Sequence, residues 1–228
     1  RFRNVTGVQT CALPICVICL FWGFWALLGL MIIPGRHARL LGRAIAMLSF
    51  RFYLACLSAT RRFSFDISAL DALRDAPPLI IAPNHPCLLD ALMVMSRLSN
   101  VACVLKASLM RNFFLGGGAR FCRYIRNEPV QRMIQLAVED VSNGSHLLLF
   151  PEGTRTVNDP VNPLMGSVGL IASRARAPVQ TVLIEADTRY LSKGWTLFRV
   201  PPMPVHFRVR LGKRFDPPAD VQSFMAEL

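Results

Sequence analysis

Apolar and polar positions divide the chain into an unbroken hydrophobic start and an alternating remainder. From Cys11 to Ile33 no charged residue occurs, and Phe21, Trp22, Phe24 and Trp25 add aromatic bulk. At 1.5 Å per residue this run extends over about 30 Å, the depth of a hydrocarbon core, and it predicts a membrane helix. A secretory signal would have a shorter apolar stretch, about 7–15 residues, ending in a small-residue cleavage site.

After Pro34-Gly35 the pattern becomes periodic. Arg36, Arg39 and Arg43 share one helical face, while Leu41, Ile45, Leu48 and Phe52 share another. That spacing predicts a basic amphipathic helix lying on an anionic leaflet, although a helix packed on a protein core produces the same periodicity. The arginines following the first apolar run, with Arg61 and Arg62 beyond, assign this side to the cytoplasm. Val5-Thr6-Gly7-Val8-Gln9-Thr10-Cys11-Ala12-Leu13-Pro14-Ile15 resembles a translated sequencing adapter. Residues 1–15 are therefore expected to be foreign to the fold, and residues 16–62 to form the membrane-anchoring segment.

From Phe63 onward short β-like runs alternate with helical ones, which predicts a single α/β layered domain over residues 63–228. Strands are expected at Leu79–Ala82, Val101–Leu105, His146–Phe150, Val179–Ile184 and Val205–Leu211. Helices are expected after Pro86, Ser108, Pro129 and Leu164. The third is the clearest, with Ile134, Ala137, Val138 and Val141 on one face and Asn143-Gly144 as its stop.

Charge sharpens this picture. Lys and Arg number 26 against 14 acidic residues, a net charge of +12, while 53% of the chain is hydrophobic. A nucleic-acid binder is basic and polar; a basic and greasy chain points to an anionic lipid surface. The seven cysteines are odd in number and sit mostly among apolar neighbours, as reduced thiols of a cytosol-facing protein do. Cys16-x-x-Cys19 has no second pair and predicts no metal site.

Two strings carry candidate chemistry. Asn84-His85-Pro86-Cys87-Leu88-Leu89-Asp90 follows an apolar strand. His85 and Asp90 diverge by roughly 140° on one continuous helix, so they meet only if the helix begins after His85, and Pro86 suits a first helical position. A carboxylate beside an imidazole fixes its tautomer and steadies the imidazolium formed when it takes a proton. No serine nucleophile is evident, and Cys87 is not expected to serve as one, so the base is expected to activate a hydroxyl of the substrate. Phe150-Pro151-Glu152-Gly153-Thr154-Arg155-Thr156 follows a second strand, at the end where open α/β sheets hold ligands. Gly153 allows close backbone approach, and the planar fork of Arg155 suits phosphate.

Together and in this order, Asn84-His85-x-x-x-x-Asp90 and Phe150-Pro-Glu-Gly-Thr-Arg155 resemble the glycerolipid acyltransferase family, typified by 1-acylglycerol-3-phosphate acyltransferases. Gly116-Gly117-Gly118 through Tyr124-Ile125-Arg126 resembles that family's second motif, and Ala177-Pro178-Val179 its fourth; the resemblance covers Leu79 to Glu185. It implies transfer of a fatty acyl group from coenzyme A or acyl carrier protein to a lysophospholipid hydroxyl, with 1-acylglycerol-3-phosphate giving phosphatidic acid. It implies His85 as base and Asp90 as its orienter, with Asn84, Arg126, Glu152, Gly153, Thr154 and Arg155 binding substrate. No metal and no cofactor beyond the acyl co-substrate is implied, and the partners are membrane lipid and the acyl donor rather than nucleic acid. The expected location is the bacterial inner membrane, with the catalytic domain facing the cytoplasm. The same motifs also fit an acyltransferase acting on a lyso-aminolipid or a specialised polyene lipid. A non-catalytic basic scaffold fits less well, since His85, Asp90, Glu152 and Arg155 are all present.

Overall fold

Ile80 and Ile81 are both fully buried, on opposite faces of one sheet. That double burial is why their strand reads as a continuous apolar run rather than an alternating one. The computed structural model describes residues 35–228 except 113–114, 159–160 and 197–198. The adapter-like stretch and the apolar run up to Ile33 lie outside the described residues.

The chain begins with α1 (Gly35–Ala59), then β1 (Phe63–Asp66), a 3₁₀ segment (Ser68–Leu73), β2 (Ile80–Pro83) and α2 (Asp90–Met95). Next come β3 (Val101–Leu105), α3 (Ala107–Met110), α4 (Gly116–Phe121), β4 (Ile125–Arg126) and α5 (Val130–Ser142). The remainder is β5 (His146–Leu148), α6 (Ser167–Ala175), β6 (Val179–Ala186), β7 (Val205–Phe215) and α7 (Val221–Glu227). The sheet runs β1-β7-β6-β2-β5-β3-β4. All neighbours are parallel except β6 and β7. One apolar core, with α1 and α2, covers the face bearing Ile81, Leu148 and Ile184; a second, with α5 and α6, covers the face bearing Ile80, Leu147 and Val179. The layered α/β architecture expected from the alternating pattern is the one observed.

Local differences have local causes. β1 and β4 are not expected from the pattern: β4 has only two residues, and β1, Phe63–Asp66, lacks the continuous apolar run that marks β2 and β5. The helix expected from Pro86 begins instead at Asp90, with residues 86–89 forming bends and turns ahead of it. α5 ends as expected, with Asn143 at its cap and Gly144 at φ +88°.

The larger correction concerns α1. It is expected to lie on an anionic leaflet with its arginines toward the lipid, but Arg39 and Arg43 turn to the protein. Arg43 is only 2% exposed; its guanidinium donates to Asp140 Oδ2 at 2.8 Å, Ser145 Oγ at 2.9 Å and the Cys122 carbonyl at 3.0 Å. Arg39 donates to the other oxygen of Asp140 at 2.9 Å. These two arginines therefore face the protein, because Asp140 on α5 offers a buried countercharge that a lipid surface would have to replace. Leu41, Leu48 and Phe52 are left exposed on the outer side.

Candidate active site

The parallel pairing of β2 with β5 explains how the two sequence strings come together, since both follow carboxyl ends of adjacent strands. His85 Nδ1 lies 2.8 Å from Asp90 Oδ2. Asp90 is fully buried, and the same oxygen accepts the Cys87 backbone N–H at 2.8 Å. A carboxylate at Nδ1 keeps the proton there, leaving the Nε2 lone pair to act as a base. The ring stacks on Phe150 with centroids 4.0 Å apart, and the His85 side chain retains 18% exposure. Burial raises the Asp90 carboxyl above its ordinary range, while hydrogen bonds from His85 and Cys87 pull the other way.

Cys87 is not a nucleophile. Its sulfur is buried and lies 2.9 Å from Asp90 Oδ1, so the thiol donates to the carboxylate. Burial, followed by the neighbouring Asp90 charge, pushes its pKa well up. The thiol therefore stays protonated and helps to solvate Asp90.

Several residues expected to hold substrate are engaged with the protein itself. The Asn84 side chain pairs with Ile184, accepting its backbone N–H at 2.7 Å and donating to its carbonyl at 3.0 Å. It continues the β2–β6 ladder by one step and so ties the loop to the sheet. Glu152 is 5% exposed and accepts three donors: the His85 N–H at 3.0 Å, the Thr156 hydroxyl at 2.6 Å and the Asn162 N–H at 2.8 Å. Arg155 donates through Nη1 to the carbonyls of Leu191 and Ser192, each at 2.9 Å. Each of these polar groups lies beside a backbone group that the ladders leave unpaired, and each satisfies it.

Gly153 and Thr154 are exposed at the tip of the turn. Gly153 adopts φ +64°, and a Cβ there would lie 2.4 Å from Met165 Sδ. Both requirements select glycine. Arg126 is exposed at the end of β4, its Nε donating to the Glu128 carbonyl at 2.7 Å. It lines a cleft of about 350 Å³ together with Arg111, Arg120, Arg132, Tyr124 and Glu128.

Thr156, Phe150 and Asn162 all shape the site but escape sequence reasoning. Thr156 and Phe150 stand within the quoted string, yet their residue types carry no catalytic signature. Asn162 lies further along an irregular loop, where its side chain caps the Val157 and Asn158 N–H groups.

Comparison with known proteins agrees with this arrangement. A family model described as Acyltransferase matches residues 64–185. The fold is similar to that of the crystal structure of the 1-acyl-sn-glycerophosphate acyltransferase PlsC from Thermotoga maritima, with TM-score 0.71 and 18% identity over 99% of this chain and 92% of that one. No curated protein matches the chain.

Proposed function

The chain belongs to the acyltransferase family, and from that premise we propose that it acylates a lysophospholipid, with 1-acylglycerol-3-phosphate as acceptor and acyl-CoA or acyl carrier protein as donor. The observation that carries this reading is the His85–Asp90 pair at 2.8 Å, with Nε2 given no hydrogen-bond partner among the described residues and the ring still in reach of solvent. His85 Nε2 takes the proton of the acceptor hydroxyl, whose oxygen attacks the thioester carbonyl. The C–S bond then breaks, and the departing thiolate receives the proton from the imidazolium. A thioester is activated enough that no acyl-enzyme is required.

The phosphate-bearing acceptor is supported by the arginine-lined cleft at Arg126. The strand order separates β4 from β2 by three steps, about 14 Å at the usual interstrand spacing. Arg126 ends β4 and His85 follows β2, so both stand at the carboxyl-end edge of these parallel strands. The similarity to a protein described as a 1-acyl-sn-glycerophosphate acyltransferase points the same way.

α1 supports a seat on the membrane surface. Its His37–Ala59 stretch is long and apolar enough to span a bilayer, yet a third of it is buried against the protein. Leu41, Leu48 and Phe52 instead offer an exposed apolar stripe to a lipid interface. Leu88, exposed and three residues from His85, adds an apolar edge at the site.

Mass spectrometry of products tests the function. Acyl-CoA and acyl carrier protein are supplied with a set of lysolipids, using His85→Ala as control. Phosphatidic acid is expected from the wild type and at least about a hundredfold less from the variant. Acylation confined to phosphate-free lysolipids would overturn the acceptor, and full activity in His85→Ala would overturn the base.

A further inference from the structure

We propose that Glu152 and Thr156 are positioning residues that clamp the peptide of His85, and that neither is a ligand for the acceptor head group. The inference rests on acyl transfer with His85 as base.

His85 stands beyond the last residue of β2, where the ladder no longer holds its backbone. The loop after β5 replaces that support on both sides. The His85 N–H donates to Glu152 Oε1 at 3.0 Å, with the Thr156 hydroxyl oxygen also within 3.2 Å. The His85 carbonyl accepts the Thr156 N–H at 2.7 Å. Thr156 Oγ1 in turn donates to Glu152 Oε1 at 2.6 Å, so the two residues hold both the N–H and the carbonyl of His85. With Asn162 N–H on Oε2 at 2.8 Å, both oxygens of the buried carboxylate are engaged by protein donors. A phosphate brought to this carboxylate would meet like charge at short range. The clamp leaves the ring to be oriented by Asp90 and by the Phe150 face. A base held in this way stays within the small positional tolerance that proton transfer requires.

The test uses Glu152→Ala, Thr156→Val and Thr156→Ser in the full chain, assayed with a phosphate-bearing and a phosphate-free lysolipid. Alanine removes the acceptor of the His85 N–H and of the Thr156 hydroxyl, so kcat is expected to fall at least about tenfold on both acceptors, with KM unchanged. Thr156→Val should behave alike, and Thr156→Ser should restore most of the rate. A rise in KM confined to the phosphate-bearing acceptor, with kcat kept, would overturn the clamp. A second arm needs no turnover: hydrogen exchange of the His85 amide should quicken at least about tenfold in Glu152→Ala. Unchanged exchange would overturn the clamp as well. If the wild type acylates no acceptor, the functional proposal falls and the exchange arm alone decides the clamp.

Discussion

Arg43 Nη2 meets Asp140 Oδ2 at 2.8 Å inside the protein, across 97 residues of sequence. This ion pair fastens α1, with its exposed leucines, to the domain that carries the His85–Asp90 pair. Both charges have left water, so removing one strands the other. Arg43→Met is expected to destabilise the protein by about 3–5 kcal/mol, and Arg43→Met combined with Asp140→Leu by clearly less. Denaturant unfolding of the three proteins measures this. A single variant within experimental error of the wild type would show that Asp140 finds equal compensation from Arg39.

Asp90 links activity to stability through pH. Its carboxyl is raised in the folded protein, chiefly by burial. Between the ordinary carboxylate range and that raised value, the folded state holds a proton that the unfolded state has released. The contribution of this group is therefore complete below the ordinary range and lost as pH rises through the raised value. Asp90→Asn removes that loss. The stability of the variant relative to wild type should improve as pH rises from the ordinary carboxylate range through the raised value, while its kcat falls about a hundredfold or more because an amide cannot balance an imidazolium. A relative stability moving in the opposite direction would show that the donors around Asp90 outweigh its burial.

Arg155 holds Leu191 and Ser192 through their carbonyls, so Arg155→Lys should loosen the loop at these two residues. Lysine keeps the charge but not the fork, and one lost charge-assisted bond corresponds to about 1.5–3 kcal/mol. The expected outcome is an equal loss of kcat/KM on phosphate-bearing and phosphate-free acceptors, with faster proteolysis in that loop. A penalty falling only on the phosphate-bearing acceptor would return Arg155 to a head-group role.

The apolar stripe of α1 predicts its own assay. Leu48 and Phe52 are 57% and 62% exposed. Replacing both with aspartate removes two interfacial anchors without touching the core, so the protein should unfold at an unchanged denaturant concentration yet sediment less with anionic vesicles. Unchanged vesicle binding would show that another part of the chain supplies the attachment.

The sequence by itself determined the layered architecture. Core strands such as Ile80–Pro83 are buried on both faces, and such burial demands an apolar run that can be read locally. It also determined the His85–Asp90 pair, because a strand end followed by a late helix start is a matter of neighbouring residues. The periodicity of α1 likewise separated arginines from leucines. Which face turns inward was decided only in three dimensions, since a periodic pattern has two sides and nothing local marks Asp140 as the partner of Arg43. Glu152 and Arg155 followed the same rule. The type of Arg155 announced anion chemistry and the family resemblance implied substrate binding for Glu152, but they are occupied by backbone groups of His85, Asn162, Leu191 and Ser192. A peptide N–H or carbonyl is the same at every position in a sequence; only the path of the folded chain decides which ones are left unpaired and which side chain reaches them.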